Sequence, residues 1–110
     1  AKVSYEREDY AGAEQEYAEL IERFDASYPQ HFVGSLVRTM RGRCFMELGQ
    51  YENAEAAFLD AHARMVDHFG DEHNHVIEVS RTIADLYTRW DRPADAEAWR
   101  QKAQPPDGAG

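Results

Sequence analysis

The sequence predicts an all-α fold of about five antiparallel helices stacked as repeated helix pairs. Two observations carry this. Apolar residues recur at i, i+3, i+4 and i+7 in five successive segments, which lines each set up on one stripe of a helix. A pattern of small and aromatic residues also returns 41 or 42 positions later, so the segments belong to one repeating unit. No segment alternates apolar and polar residues long enough to read as a strand.

The first helix is expected from about Tyr5 to Phe24, with Tyr10, Ala13, Tyr17, Leu20, Ile21 and Phe24 on its stripe. It ends at Tyr28-Pro29, because proline pushes the residue before it out of the helical region. The second helix carries Val33, Leu36, Val37, Met40, Cys44, Phe45 and Leu48, and closes at Gly49, a residue suited to a C-terminal cap. The third carries Ala54, Ala57, Phe58, Ala61, Met65 and Phe69 and stops at Gly70-Asp71. The fourth carries Val76, Val79, Ile83, Leu86, Tyr87 and Trp90. A short fifth begins at Pro93, which a first helical turn tolerates, and carries Ala96, Trp99 and Ala103. The links at Gly49 and Asp91 are so short that the helices they join must run antiparallel. The repeat domain is expected over residues 1–104, in copies of about 5–30, 34–70 and 75–103, followed by a disordered tail at 105–110.

Composition narrows the function. The chain has 110 residues and a net charge of −9. A face that grips phosphates needs clustered Lys and Arg, so the charge argues against nucleic-acid binding through a basic face and disfavours adsorption to an anionic membrane; neither partner is expected. No apolar run approaches the ~18 residues of a spanning helix. The single cysteine, Cys44, cannot form an internal disulfide, which points to a cytoplasmic address. Its place between Met40 and Leu48 at helical spacing makes it a small buried apolar residue. A catalytic thiol would need a His or a cation beside it, and no local motif supplies one.

The recurrence itself is specific. Ala54-Glu55 returns as Ala96-Glu97, and Phe45 and Leu48 return as Tyr87 and Trp90. Tyr10, Ala13 and Glu14 precede Tyr51, Ala54 and Glu55 by 41. One helix pair cannot bury its stripe alone, so stacked copies must keep the same positions small or large. Gly42 and Ala84 are therefore expected where helices cross closely, with Phe45, Tyr87 and Phe58 filling the space between.

The run Gly42, Phe45, Gly49, Tyr51, Ala54, Phe58, Ala61 resembles the tetratricopeptide repeat. The next copy reads Ala84, Tyr87, Asp91, Pro93, Ala96, Arg100, Ala103; it keeps the small positions and departs at Asp91, Pro93 and Arg100. The period near 42 looks like the longer variant of kinesin light chains and many bacterial regulatory proteins. The ending from Leu86 to Arg100 also looks like repeats attached to some bacterial serine/threonine kinases. The resemblance implies a right-handed superhelical α-solenoid that binds a protein or peptide partner in a concave groove. It also implies that the chain begins in the second helix of a copy. Such a chain is expected to be part of a longer array or to pair with itself through an uncapped end.

On the family's geometry the groove is lined by Thr39, Arg43, Met46 and Glu47 from one copy. The next copy contributes Glu78, Arg81, Asp85, Thr88 and Arg89. Arg43, Arg81 and Arg89 would form a cationic strip suited to an acidic peptide or a C-terminal carboxylate, since guanidinium pairs bidentately with carboxylate. The bland alternative is that these arginines pair with Glu47, Glu78 and Asp85 on the same surface. The family's peptide-clamping Asn residues are not at these positions.

A second reading is a metal- or small-ligand-binding helical domain that uses His68, Asp71, Glu72, His73 and His75, with His62 nearby. Their spacing matches no metal motif, and His31 preceding His73 by 42 favours a structural role at the loop between copies. A regulatory appendage of a signalling enzyme such as a kinase is a third reading. No Gly-rich phosphate loop or nucleophile elbow is present, so no enzyme activity, cofactor or catalytic residue is expected.

Overall fold

The computed structural model describes residues 7–28, 32–70 and 73–103. They form five helices: α1 (Arg7–Ser27), α2 (Val33–Glu47), α3 (Tyr51–Phe69), α4 (Asn74–Arg89) and α5 (Pro93–Lys102). Among the described residues there is no strand. The proposed start at Tyr5, Pro29, His31, Asp71, Glu72 and the tail at 105–110 lie outside the described residues.

Two helix ends show why the links are short. After α2, Gly49 takes φ +77°, its N–H donates to the Met46 carbonyl (3.0 Å), and the Gln50 N–H donates back to Phe45 (2.8 Å). After α4, Asp91 takes φ +59°, its N–H donates to Thr88 (3.2 Å), and the Arg92 N–H donates to Tyr87 (2.8 Å). Both are the paired-bond stop that satisfies a helix's last carbonyls with one left-handed residue. The second copy achieves with Asp91 what the first achieves with glycine. Pro93 then opens α5, where its missing N–H costs nothing.

Packing runs from each helix to its chain neighbour: α1 on α2, α2 on α3, α3 on α4, α4 on α5. That is the contact pattern of a stack of repeats. Phe45, Met46, Ala54, Phe58, Ile83, Leu86, Tyr87 and Ala96 form the main core, with Tyr51, Trp90 and Trp99 packed against it. Met65, Val76 and Val79 form a second cluster with Leu36, Val66 and Phe69. The small positions do what the repeat pattern requires. Gly42 lies so close to Phe58 that a Cβ there would stand 2.6 Å from one ring carbon and 2.7 Å from another. In the next copy the position of Phe58 is Arg100, which is exposed and donates to the Thr88 hydroxyl at 2.8 Å. By contrast, α1 packs on α2 alone among its substantial contacts, and none of its described side chains is fully buried.

Candidate groove between α2 and α4

α2 and α4 are the first helices of successive pairs, and they face each other across a shallow apolar depression of about 230 Å³. Leu36, Met40 and Val79 supply its apolar lining together with Met65 from α3. Met40 keeps 49% of its surface exposed there. Thr39, Arg43, His75, Glu78 and Thr82 supply the polar lining.

Each polar group has a local reason for its position. Thr39 donates to the Ser35 carbonyl (3.0 Å) and Thr82 to the Glu78 carbonyl (3.1 Å), one turn back along their helices. Arg43 reaches across from α2 and donates to the Thr82 hydroxyl at 3.4 Å, a long bond that leaves most of the guanidinium fork uncommitted.

The residues placed on this face by the repeat pattern divide into three groups. Thr39, Arg43 and Glu78 line the depression. Glu47, Arg81, Asp85, Thr88 and Arg89 are exposed on α2 and α4 beyond it. Arg89 pairs with Glu47 at 2.9 Å, so one member of the arginine strip makes the intramolecular pairing weighed against ligand binding. Both partners are substantially exposed, and such a pair contributes little to stability. Arg81 has no ion-pair partner among the described residues. Met46 is different: it is 8% exposed and belongs to the main core. α2 is enclosed by α1 and α3 and faces α4, so its buried stripe is wider than that of a helix with one neighbour.

Sequence reasoning missed two features. Thr82 was not placed on the groove, although it follows Glu78 by four and so shares its face. Arg38 was missed altogether. It is 8% exposed; its guanidinium bonds Asp25 on α1, Asp60 on α3 (3.0 Å) and the Gly34 carbonyl (3.2 Å). A buried charge is tolerable only when paired and bonded in this way. Arg41, over the Phe45 ring, pairs with Glu14 at 2.7 Å. A second cleft is lined by these two arginines and by Ile21, Phe45 and Asp60. Its cations are thus already neutralised by the protein.

The histidines gather around aromatic rings. Phe69 stacks on His73 (centroids 4.0 Å) and meets His68 edge-on (4.6 Å), while Phe32 stacks on His68 (5.9 Å) and His75 (6.2 Å). Among the described residues no three His, Cys, Asp or Glu side chains come together as a metal site. Cys44 is buried, and that burial pushes its thiol above the ordinary range, helped by Glu14 and Glu47. Burial likewise pushes the Tyr87 phenol up, reinforced by its 2.7 Å bond to Glu55. Neither group is shifted toward reactivity.

Among the described residues no helix is long and apolar enough to cross a membrane. A family model described as tetratricopeptide repeat matches residues 33–105, more than half of the chain, and spans α2 to α5. No curated protein and no solved structure matches the chain.

Proposed function

The chain belongs to the tetratricopeptide repeat family, and on that premise we propose that it holds an acidic peptide segment of a partner protein in the groove between α2 and α4. Domains of this family generally bind proteins or peptides; the groove and the acidic character are the proposal. The observation that supports it is the depression itself. An apolar floor at Leu36, Met40 and Met65 sits beside Arg43, whose one long bond to Thr82 is easily exchanged for a carboxylate. An apolar pocket with few convergent polar groups is the usual form of a recognition site. A charge-assisted bond to a carboxylate is about twice as strong as the neutral one it replaces. Arg81 adds a second cation on the same helix face as Glu78 and Asp85.

The test is a peptide array of acidic sequences beside their Gln and Asn counterparts, probed with the wild type and with Arg43→Glu/Arg81→Glu. The proposal expects the wild type to prefer the acidic members and the double variant to lose that preference. Equal capture by both proteins removes the groove from consideration. The same reading includes self-pairing through α1, because its stripe is only half-buried and Leu20 is 44% exposed. Light scattering over a concentration series addresses that part; a strict monomer at all concentrations counts against it.

A further inference from the structure

The start of α4 is built around histidine chemistry that peptide binding does not use. α4 begins after His73, which has extended backbone angles (φ −73°, ψ 146°) and acts as the helix's N-cap residue. Its side chain accepts the His75 backbone N–H at Nδ1, 3.1 Å away. Asp, Asn, Ser and Thr ordinarily serve this role, and they accept at neutral and mildly acidic pH. An imidazole accepts only while Nδ1 keeps its lone pair; once protonated there, it is a donor on both nitrogens. The cap therefore exists in one protonation state and not in the other.

Three further observations point the same way. His73 and His75 lie with ring centroids 5.1 Å apart, so two protonated rings would repel at close range. Both sit at the first turn of α4, where the exposed N–H groups and the helix dipole disfavour positive charge. His75 also lines the groove next to Leu36 and Met40, stacks with Phe32 and meets the Phe69 ring at a tilt (centroids 5.3 Å). The rings thus tie the beginning of α2, the end of α3 and the beginning of α4 into one knot.

Among the described residues, three charged or titratable groups besides His73 and His75 face this knot. α3 brings His68 against Phe69 and Phe32. α4 brings Glu78, and α2 brings Arg43, both lining the groove beside His75. Asp71 and Glu72 precede His73 in the chain and lie outside the described residues.

We propose that the His73 cap and the His68–His73–His75 ring knot form a proton-sensitive latch that holds the groove end of α4 closed when neutral and releases it on acidification. The latch does not require the groove's ligand to be known, and its failure or success is read without one. The link to the groove is a second, separable step.

The experiment is thermal unfolding of the 110-residue chain at pH 7.5 and 5.5, across the range in which imidazoles ordinarily titrate. It is run on wild type, His73→Asn and His73→Ser, two caps that accept at both pH values. The wild type is expected to melt roughly 4–8 °C lower at pH 5.5, the shift a lost cap gives in a domain near this size. Both variants are expected to lose at least half of that drop; removing the ring that stacks on Phe69 lowers their melting temperature at pH 7.5 as well, so the quantity compared is the drop between the two pH values within each protein. The His75 backbone amide resonance reports the bond directly. Its movement between the two pH values is expected to be larger in the wild type than in His73→Asn, where the cap bond persists and only the ring of His75 itself can move it. An unchanged or raised melting temperature at pH 5.5 overturns the latch, as Asp71 or Glu72 pairing with a protonated His73 would produce. A full drop retained in both variants overturns it equally.

Discussion

Gly42 is where the packing makes its sharpest demand. The perturbation is Gly42→Ala, and two effects of opposite sign meet. Alanine is the better helix former, and in a helix interior the exchange by itself stabilises by about 0.5–1 kcal/mol. At Gly42, however, the new Cβ would stand 2.6, 2.7 and 3.1 Å from three ring carbons of Phe58. Carbon atoms pack best at about 3.5–4.0 Å. Phe58 is 0% exposed, so the ring has nowhere to swing, and either the ring or α2 itself must shift. Overpacking of this kind costs about 1–3 kcal/mol and occasionally more. With the ring enclosed, the cost lies in the upper half of that range, so overpacking wins with a net loss of about 1–2 kcal/mol and a fall in Tm of roughly 4–16 °C. Gly12 in α1 supplies the control, because a Cβ there meets nothing within 4 Å. Gly12→Ala is expected to raise stability by about 0.5–1 kcal/mol. A smaller partner should relieve the clash, so Gly42→Ala/Phe58→Leu should lose less than the sum of its single changes, by about 1 kcal/mol. Urea unfolding followed at 222 nm measures all four variants. If Gly42→Ala is as stable as the wild type, the close crossing of α2 and α3 is not as described.

Two other expectations follow from particular positions. Asp91 occupies the left-handed site that Gly49 occupies one copy earlier, so Asp91→Gly should stabilise by about 0.5 kcal/mol and Gly49→Ala should destabilise by about 1 kcal/mol; a lower Tm for Asp91→Gly contradicts the cap assignment. Cys44 should resist a thiol reagent at pH 8 in the folded protein and react at least about 100-fold faster in urea. Burial raises its folded-state pKa, so the stability it contributes is present below the unfolded thiol range near about 8.5 and declines as pH rises through it. Cys44→Ala should flatten that alkaline decline, and a slope identical to the wild type's would show that other groups cause it.

The helices and their ends were legible because their causes are local. Gly49, Asp91 and Pro93 act on the backbone beside them, and the apolar stripes follow the helical period. Gly42 was legible as a small residue at a crossing because Ala84 repeats it. Arg38 was hidden because its causes are distant: Asp25 is 13 positions earlier and Asp60 lies on the next helix. Met46 was placed on the groove because helical spacing puts it beside Arg43 and Glu47, and spacing does not reveal how many neighbours enclose a helix. The histidines offered metal binding and a loop role from sequence. Only the geometry showed His73 accepting a backbone N–H. A polar acceptor directly before α4, after the break at Gly70, was the available signal. The arginine strip was legible as a strip. Which of its members is already engaged, Arg89 with Glu47, depended on side-chain reach across two helices.

The measurement closest to the central claim is a map of amide resonances as the best-captured acidic peptide is titrated into the labelled protein. The groove reading predicts shifts concentrated on Thr39, Arg43, Glu78 and Thr82, with α5 and the outer face of α3 undisturbed. Shifts that gather on α1, on α5 or around the cleft at Arg38 and Arg41 would place the partner elsewhere and contradict it.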